Sequence, residues 1–214
     1  MPHPTADAAV AIKELQSKNN LSKIDVIVSS AGICKLNRLD AVPIAEIQEH
    51  IDINALATVA LFQAAIPLLR AAPAPKFVLI GATAGTFSQM EIFAFPNTSY
   101  SVSKLLANWF VRKMQLENDW LVAFSIHPGW VQTDMGIEGA RSVGMEKAAQ
   151  TIEESIAGVT KTVLRAQFTH RILTGCRSKI QLENLLRDRF ETTKGLYILG
   201  KENCAVFYRI VVDV

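Results

Sequence analysis

Asp25-Val26-Ile27-Val28-Ser29-Ser30-Ala31-Gly32 decides how the rest of this sequence is read. A short, unbroken β-branched run is a strand covered on both faces, as in a parallel sheet; a half-exposed strand would alternate polar and apolar positions. Two further runs repeat the pattern. Lys76-Phe77-Val78-Leu79-Ile80 ends in Gly81-Ala82-Thr83-Ala84-Gly85, and Leu121-Val122-Ala123-Phe124-Ser125-Ile126 is stopped by His127-Pro128-Gly129. Helical periodicity lies around them. Asp7–Lys18 sets Ala8, Ala11, Ile12 and Leu15 on one face, and Asn19-Asn20 ends it. Ile44–Leu69 reads as one long helix with Pro67 near its end, and Ser99–Asn118 carries apolar Val102, Leu105, Leu106, Trp109, Phe110 and Met114. Thr151-Ile152-Glu153-Glu154 has the form of a capping box opening a helix to about Arg165. Strand and helix alternating in this way give an α/β fold: a parallel sheet flanked by helices. Ala205–Val212 offers a last strand.

The chain has 214 residues, of which 50% are hydrophobic and 20% charged, with a formal net charge of +2. That is one globular domain over residues 1–214 with enough chain for a large core, and it excludes disorder as a description of the whole. The charge balance gives no reason to expect nucleic acid or a membrane surface as partner. Polar residues interrupt the apolar stretches Ala55–Leu69 and Ala205–Val212, so no run is expected to reach the ~18 residues of a membrane helix. Met1-Pro2-His3-Pro4-Thr5 lacks the basic and apolar pattern of a secretory signal. Cys34, Cys176 and Cys204 are odd in number and have no CxxC spacing, so neither a disulfide framework nor a metal site is expected. Reduced structural thiols in a cytoplasmic protein follow. The tail from residue 166 to 214 differs in character: Ala166–Lys201 holds seven Lys/Arg against three Asp/Glu, a net +4. It reads as a solvated helix face around Gln181–Phe190 rather than a nucleic-acid stripe.

Ligands of α/β sheets bind beyond the carboxyl ends of the strands. Ser29–Gly32, Gly81–Gly85 and His127–Thr133 meet that condition, and their small residues allow close approach, although small residues also suit tight turns. Tyr100-Ser101-Val102-Ser103-Lys104 is more informative. Tyr and Lys four apart near a helix start share a face. An ammonium beside a phenol favours the phenolate and lowers the tyrosine pKa from about 10, toward proton exchange near neutrality. An ordinary surface Tyr–Lys pair has the same spacing.

These residues stand in a context that resembles the short-chain dehydrogenase/reductase family from about Asp7 to Arg165. Val28-Ser29-Ser30-Ala31-Gly32 resembles the family's NNAG turn, Asn54 in Ile51-Asp52-Ile53-Asn54 its helix asparagine, Tyr100 and Lys104 its YxxxK pair, and Pro128-Gly129-Trp130-Val131-Gln132-Thr133 its PG-x-V-x-T loop. Ile51–Leu69 and His127–Gly136 look most like fungal ketoreductases of secondary metabolism. The resemblance implies a Rossmann-like sheet and reduction of a polyketide-like ketone with NADP, NAD not being excluded. Tyr100 would protonate the forming alkoxide, and Lys104 would tune the tyrosine and hold the nicotinamide ribose. Asn54 would support a water-linked proton relay to Lys104. Val131 and Thr133 would lie at the nicotinamide carboxamide, and Ser30 beside the adenosine ribose, with less reach than the family's Asn.

Three departures qualify that expectation. No GxxxGxG turn for the pyrophosphate occurs in the sequence. The chain is expected to begin in the helix before the family's fourth strand, an incomplete sheet whose first strands are missing. Val26, Ile27 and Val28 would then form a bare apolar edge, prone to aggregate or to make a homo-oligomer. Second, Ala82 falls at the family's catalytic serine, with Thr83, Thr86 and Ser88 as nearby hydroxyls. Third, Ala166–Leu186 reads as inserted, with Gly195-Leu196-Tyr197-Ile198 as a displaced family ending. A catalytically degenerate binding or scaffold protein is therefore the alternative to the reductase.

Overall fold

The computed structural model of the chain describes residues 4–92, 95–166, 196–199 and 208–211. Helix α1 (Pro4–Asn19) precedes strand β1 (Val26–Ser29). Asn20 ends α1 with φ of +50°, a left-handed conformation that asparagine tolerates. Then come α2 (Ile44–Ile51), a π-helical turn (Asp52–Leu56) and α3 (Ala57–Arg70) as one continuous helical run, and β2 (Lys76–Ile80). A 3-10 turn at Thr83–Gly85 leads toward α4 (Thr98–Glu117), followed by β3 (Val122–Ile126), α5 (Asp134–Ser142) and α6 (Ile152–Arg165). The last described elements are β4 (Leu196–Leu199) and β5 (Tyr208–Val211).

The strand order is β3-β2-β1-β5-β4. β1, β2 and β3 are parallel, with Ile27 opposite Phe77 and Phe77 opposite Ala123. β5 runs antiparallel to β1, and β4 antiparallel to β5. This corrects one expectation: β1 is no bare edge. Its outer N–H and C=O groups need partners, and the tail strand Tyr208–Val211 supplies them, Val26 facing Val211. The Ala205–Val212 strand is present in part, and the 195–198 segment forms most of β4. Cys176, Cys204 and the Gln181–Phe190 stretch lie outside the described residues, as does most of the expected insertion.

The core joins α1, α3 and α4 to one face of the sheet through Ile12, Leu15, Ile27, Leu61, Leu68, Phe77, Leu79 and Val111. Full burial of side chains this size stabilises by about 1.5–3 kcal/mol each. Phe62 and Phe77 meet edge to face at 5.6 Å. The run Ile44–Arg70 is long and apolar enough to cross a bilayer by length and composition, contrary to the sequence expectation. In the fold it is a core helix, with Ala57, Leu61, Ala65, Leu68 and Leu69 buried. The capping box forms as read: Thr151 N–H donates to Glu154 Oε2 at 2.9 Å, and Glu154 N–H to Thr151 Oγ1 at 3.2 Å. Lys76 Nζ donates to the carbonyls of Val163 and Leu164, closing the negative end of α6.

Candidate active site

The carboxyl ends of β1, β2 and β3 and the first turns of α4 converge. Lys104 is 4% exposed, and its Nζ donates to Ile80 O, the last residue of β2, at 2.9 Å. The same Nζ stands 5.8 Å from the centre of the Tyr100 ring. The segment after β2 is fastened to α4 a second time, by Asn108 Nδ2 donating to Gly85 O at 3.0 Å. Gly85 permits this contact: a Cβ there would lie 2.6 Å from the Lys104 backbone carbon. Ala82 and Thr83 are held between these two fastenings.

Asn54 lies in the π turn with no exposed surface. Its Oδ1 accepts from Ile33 N–H at 2.8 Å, and its Nδ2 donates to Ile33 O at 2.9 Å and to Ser103 Oγ at 2.8 Å. Ser103 Oγ in turn donates to Tyr100 O at 2.7 Å. A Cβ on Gly32 would lie 3.3 Å from both Asn54 Oδ1 and Lys104 Nζ, so Asn54, Lys104 and the end of β1 are packed together. Ser30 is exposed just beyond β1. The 128–133 loop turns at Gly129, where φ is +88°, a conformation that favours glycine. Gln132 N–H donates to Gln150 O, which fastens the loop around Val131. Thr133 caps α5, its Oγ1 accepting from Gly136 N–H at 3.3 Å.

The electrostatics correct a second expectation. Burial raises the Tyr100 pKa above the usual phenol range, with Cys34 as the next cause. The ammonium of Lys104 faces Ile80 O and does not lower it. Tyr100 is therefore protonated at neutral pH, the state that donates a proton. Burial also lowers the Lys104 pKa to about 8, opposed by Cys34. Cys34 itself is pushed up to about 11 by burial and Glu138, with Lys104 pulling the other way, so it is a thiol at neutral pH. Sequence reading took Cys34 as structural and missed that it lies within electrostatic reach of both groups. It also missed Ser103 and Asn108; their place within eight residues of Tyr100 was the available signal.

The Lys104 shift predicts a stability slope. Below pH 8 both folded and unfolded chains hold the proton, and the burial penalty is fully present. Between about 8 and the unfolded value of 10.5 the unfolded chain binds more protons, so stability rises with pH. Comparison with Lys104→Met in urea unfolding from pH 7 to 10.5 should show the difference in unfolding free energy change by up to about 3 kcal/mol in favour of the lysine protein. A pH-independent difference would refute it.

Residues 6–143 match the short chain dehydrogenase family. The norsolorinic acid ketoreductase of Dothistroma septosporum is 45% identical over 157 residues, covering 72% of this chain and 59% of that protein. The norsolorinic acid ketoreductase of Emericella nidulans is 40% identical over 163 residues, covering 75% and 62%. The chain thus spans about three-fifths of the length of these curated relatives. Among solved structures, NADPH-bound carbonyl reductase from chicken fatty liver superposes with a TM-score of 0.68 at 24% identity, over 76% of this chain and 67% of that one. Carbonyl reductase Sniffer of D. melanogaster gives 0.67 at 19%, over 78% and 69%. Those two likenesses speak to the fold. The chain belongs to the short chain dehydrogenase family.

Proposed function

We propose that this chain carries the proton-donating half of an NADP-dependent ketoreductase that acts on a polyketide-type ketone in fungal secondary metabolism. One observation carries the reading: Tyr100 and Lys104 share a face of α4 at the ends of three parallel strands, with Lys104 Nζ 5.8 Å from the phenol ring. Identity of 45% to a norsolorinic acid ketoreductase supports the substrate class.

A nicotinamide cofactor supplies hydride to the carbonyl carbon when bound. Lys104, Val131, Thr133 and Ser30 would hold it. The close contact of Gly32 with Lys104 and Asn54 fits the nicotinamide end, while no glycine-rich pyrophosphate turn occurs in this sequence. The chain's own residues do the rest. Tyr100 gives its phenolic proton to the oxygen that becomes the alcohol. Lys104, charged below about pH 8, keeps its Nζ on Ile80 O at 2.9 Å, where it would meet the nicotinamide ribose. Asn54 fixes the loop under both groups. Exposed Leu39, beside Phe95 and Pro96 in an open groove at the start of α4, offers apolar surface to a ketone.

Titration with NADPH, followed by the cofactor's fluorescence, should show saturable binding, and aryl ketones such as 1-tetralone should then consume it. No fluorescence response would leave the degenerate binding protein, which Ala82 favours, as the better reading.

A further inference from the structure

The loop after β1 and the helical run after it fit together by a repeat of which the proton-transfer reading uses only Asn54. Ile33 pairs its N–H and C=O with Asn54 at 2.8 and 2.9 Å. Two residues on, Lys35 N–H donates to His50 Nε2 at 3.1 Å. Two further, Asn37 Nδ2 donates to Glu46 Oε2 at 2.7 Å. Extended chain advances about 6.6 Å per two residues and an α-helix about 6 Å per four. Alternate loop residues therefore meet every fourth helix residue, in antiparallel sense, and a polar helix stripe serves where a neighbouring strand would. His50 Nε2 accepts, so Nδ1 carries the ring proton and donates to Glu46 O at 2.8 Å.

The same stripe meets α4. Ser99 Oγ donates to Glu46 Oε1 at 2.9 Å, and Asn54 Nδ2 reaches Ser103 Oγ at 2.8 Å. Ser99 and Ser103 are also four apart, each immediately before a member of the Tyr100–Lys104 pair. His50, Asn54 and Ser103 have no exposed surface, and Ser99 has 1%.

Glu46, like Asn54, joins all three pieces, one carboxylate oxygen on the loop and the other on α4. The α4 N-cap residue, Asn97, makes no side-chain cap. A carboxylate bonded to Ser99 thus places negative charge at the positive end of that helix dipole. We propose that Glu46 is a positioning residue: by gripping Ser99 and Asn37 it fixes the first turn of α4 and so the aim of the Tyr100 hydroxyl. This rests on the reductase reading. Misplacement of a reacting group by about 1 Å can cost about a hundredfold in rate, so a partial release should cost less.

The test compares the enzyme with Glu46→Ala, Glu46→Gln and Ser99→Ala, measuring kcat and the KM for NADPH with a panel of aryl ketones including acetophenone and 1-tetralone. Glu46→Ala should lower kcat about tenfold, and Ser99→Ala about threefold, with the NADPH KM within about twofold. Glu46→Gln should stay within about threefold of the parent kcat, because its amide oxygen still accepts from Ser99 and Asn37 can turn its own oxygen toward the new NH2. A merely structural role would lower the unfolding midpoint without separating kcat from KM. The proposal is overturned if kcat in both alanine variants stays within about twofold of the parent, or if Gln loses as much as Ala. If Glu46→Ala does not fold, Ser99→Ala decides. Absence of turnover in the parent enzyme overturns the reductase reading and this one with it; turnover with insensitive variants overturns this one alone.

Discussion

Tyr100→Phe is expected to lower carbonyl reduction by about 10³-fold or more while leaving NADPH affinity within about twofold. The substitution deletes one oxygen and keeps the ring. Everything else that places residue 100 is backbone or belongs to neighbours: Ser103 donates to the carbonyl of residue 100, and Lys104 remains bonded to Ile80 O. Burial holds the phenol protonated at neutral pH, so on the proposed function the missing atom is the proton source. Fluorescence titration checks the affinity, and single-turnover oxidation of NADPH checks the chemistry. Turnover retained in the Phe variant would remove Tyr100 as donor.

The reverse effect is expected at residue 82. Charge develops on the carbonyl oxygen as hydride arrives, and each preorganised donor at such an oxygen is worth about 10²–10³ in rate. Alanine offers none. Ala82 is extended, with φ −148° and ψ 144°, a conformation that serine adopts freely. It lies between Ile80, gripped by Lys104, and Gly85, gripped by Asn108. Ala82→Ser should therefore raise kcat by about 10²-fold. An unchanged rate would mean that the adjacent Thr83 hydroxyl already makes this bond, and Thr83→Val would then show the corresponding loss.

What was legible in the sequence was what adjacent residues decide. The runs at 26–29, 76–80 and 122–126 are strands because unbroken β-branched or apolar stretches leave little choice, and Thr151 with Glu154 closes its own cap. Tyr100, Lys104 and Asn54, singled out in the sequence, come together in the fold. Effects that depend on distant chain were not legible. The Tyr100 pKa follows burial, which depends on the whole fold, and the ammonium four residues on does not lower it. The partner of β1 comes from residues 208–211, with a register that no local pattern announces. The stripe Glu46, His50, Asn54 lies among other polar residues, Gln48, Glu49 and Asp52, and its meaning lay in Ile33, Lys35, Asn37, Ser99 and Ser103 on other elements.

The π turn at Asp52–Leu56 makes the helical run from 44 to 70 a counted object. Each residue of an α-helix turns the chain by about 100°. Glu46 and His50 of the polar stripe are upstream of the turn and Asn54 is within it, while the apolar face of α3, with Leu61, Ala65 and Leu68, is downstream. Losing or gaining one codon between 52 and 56 would leave composition and hydropathy nearly untouched. It would also rotate one face against the other by more than a quarter turn, pointing either the core or the anchors of the loop after β1 at solvent. Along this stretch, a gene can change letters more safely than it can change length.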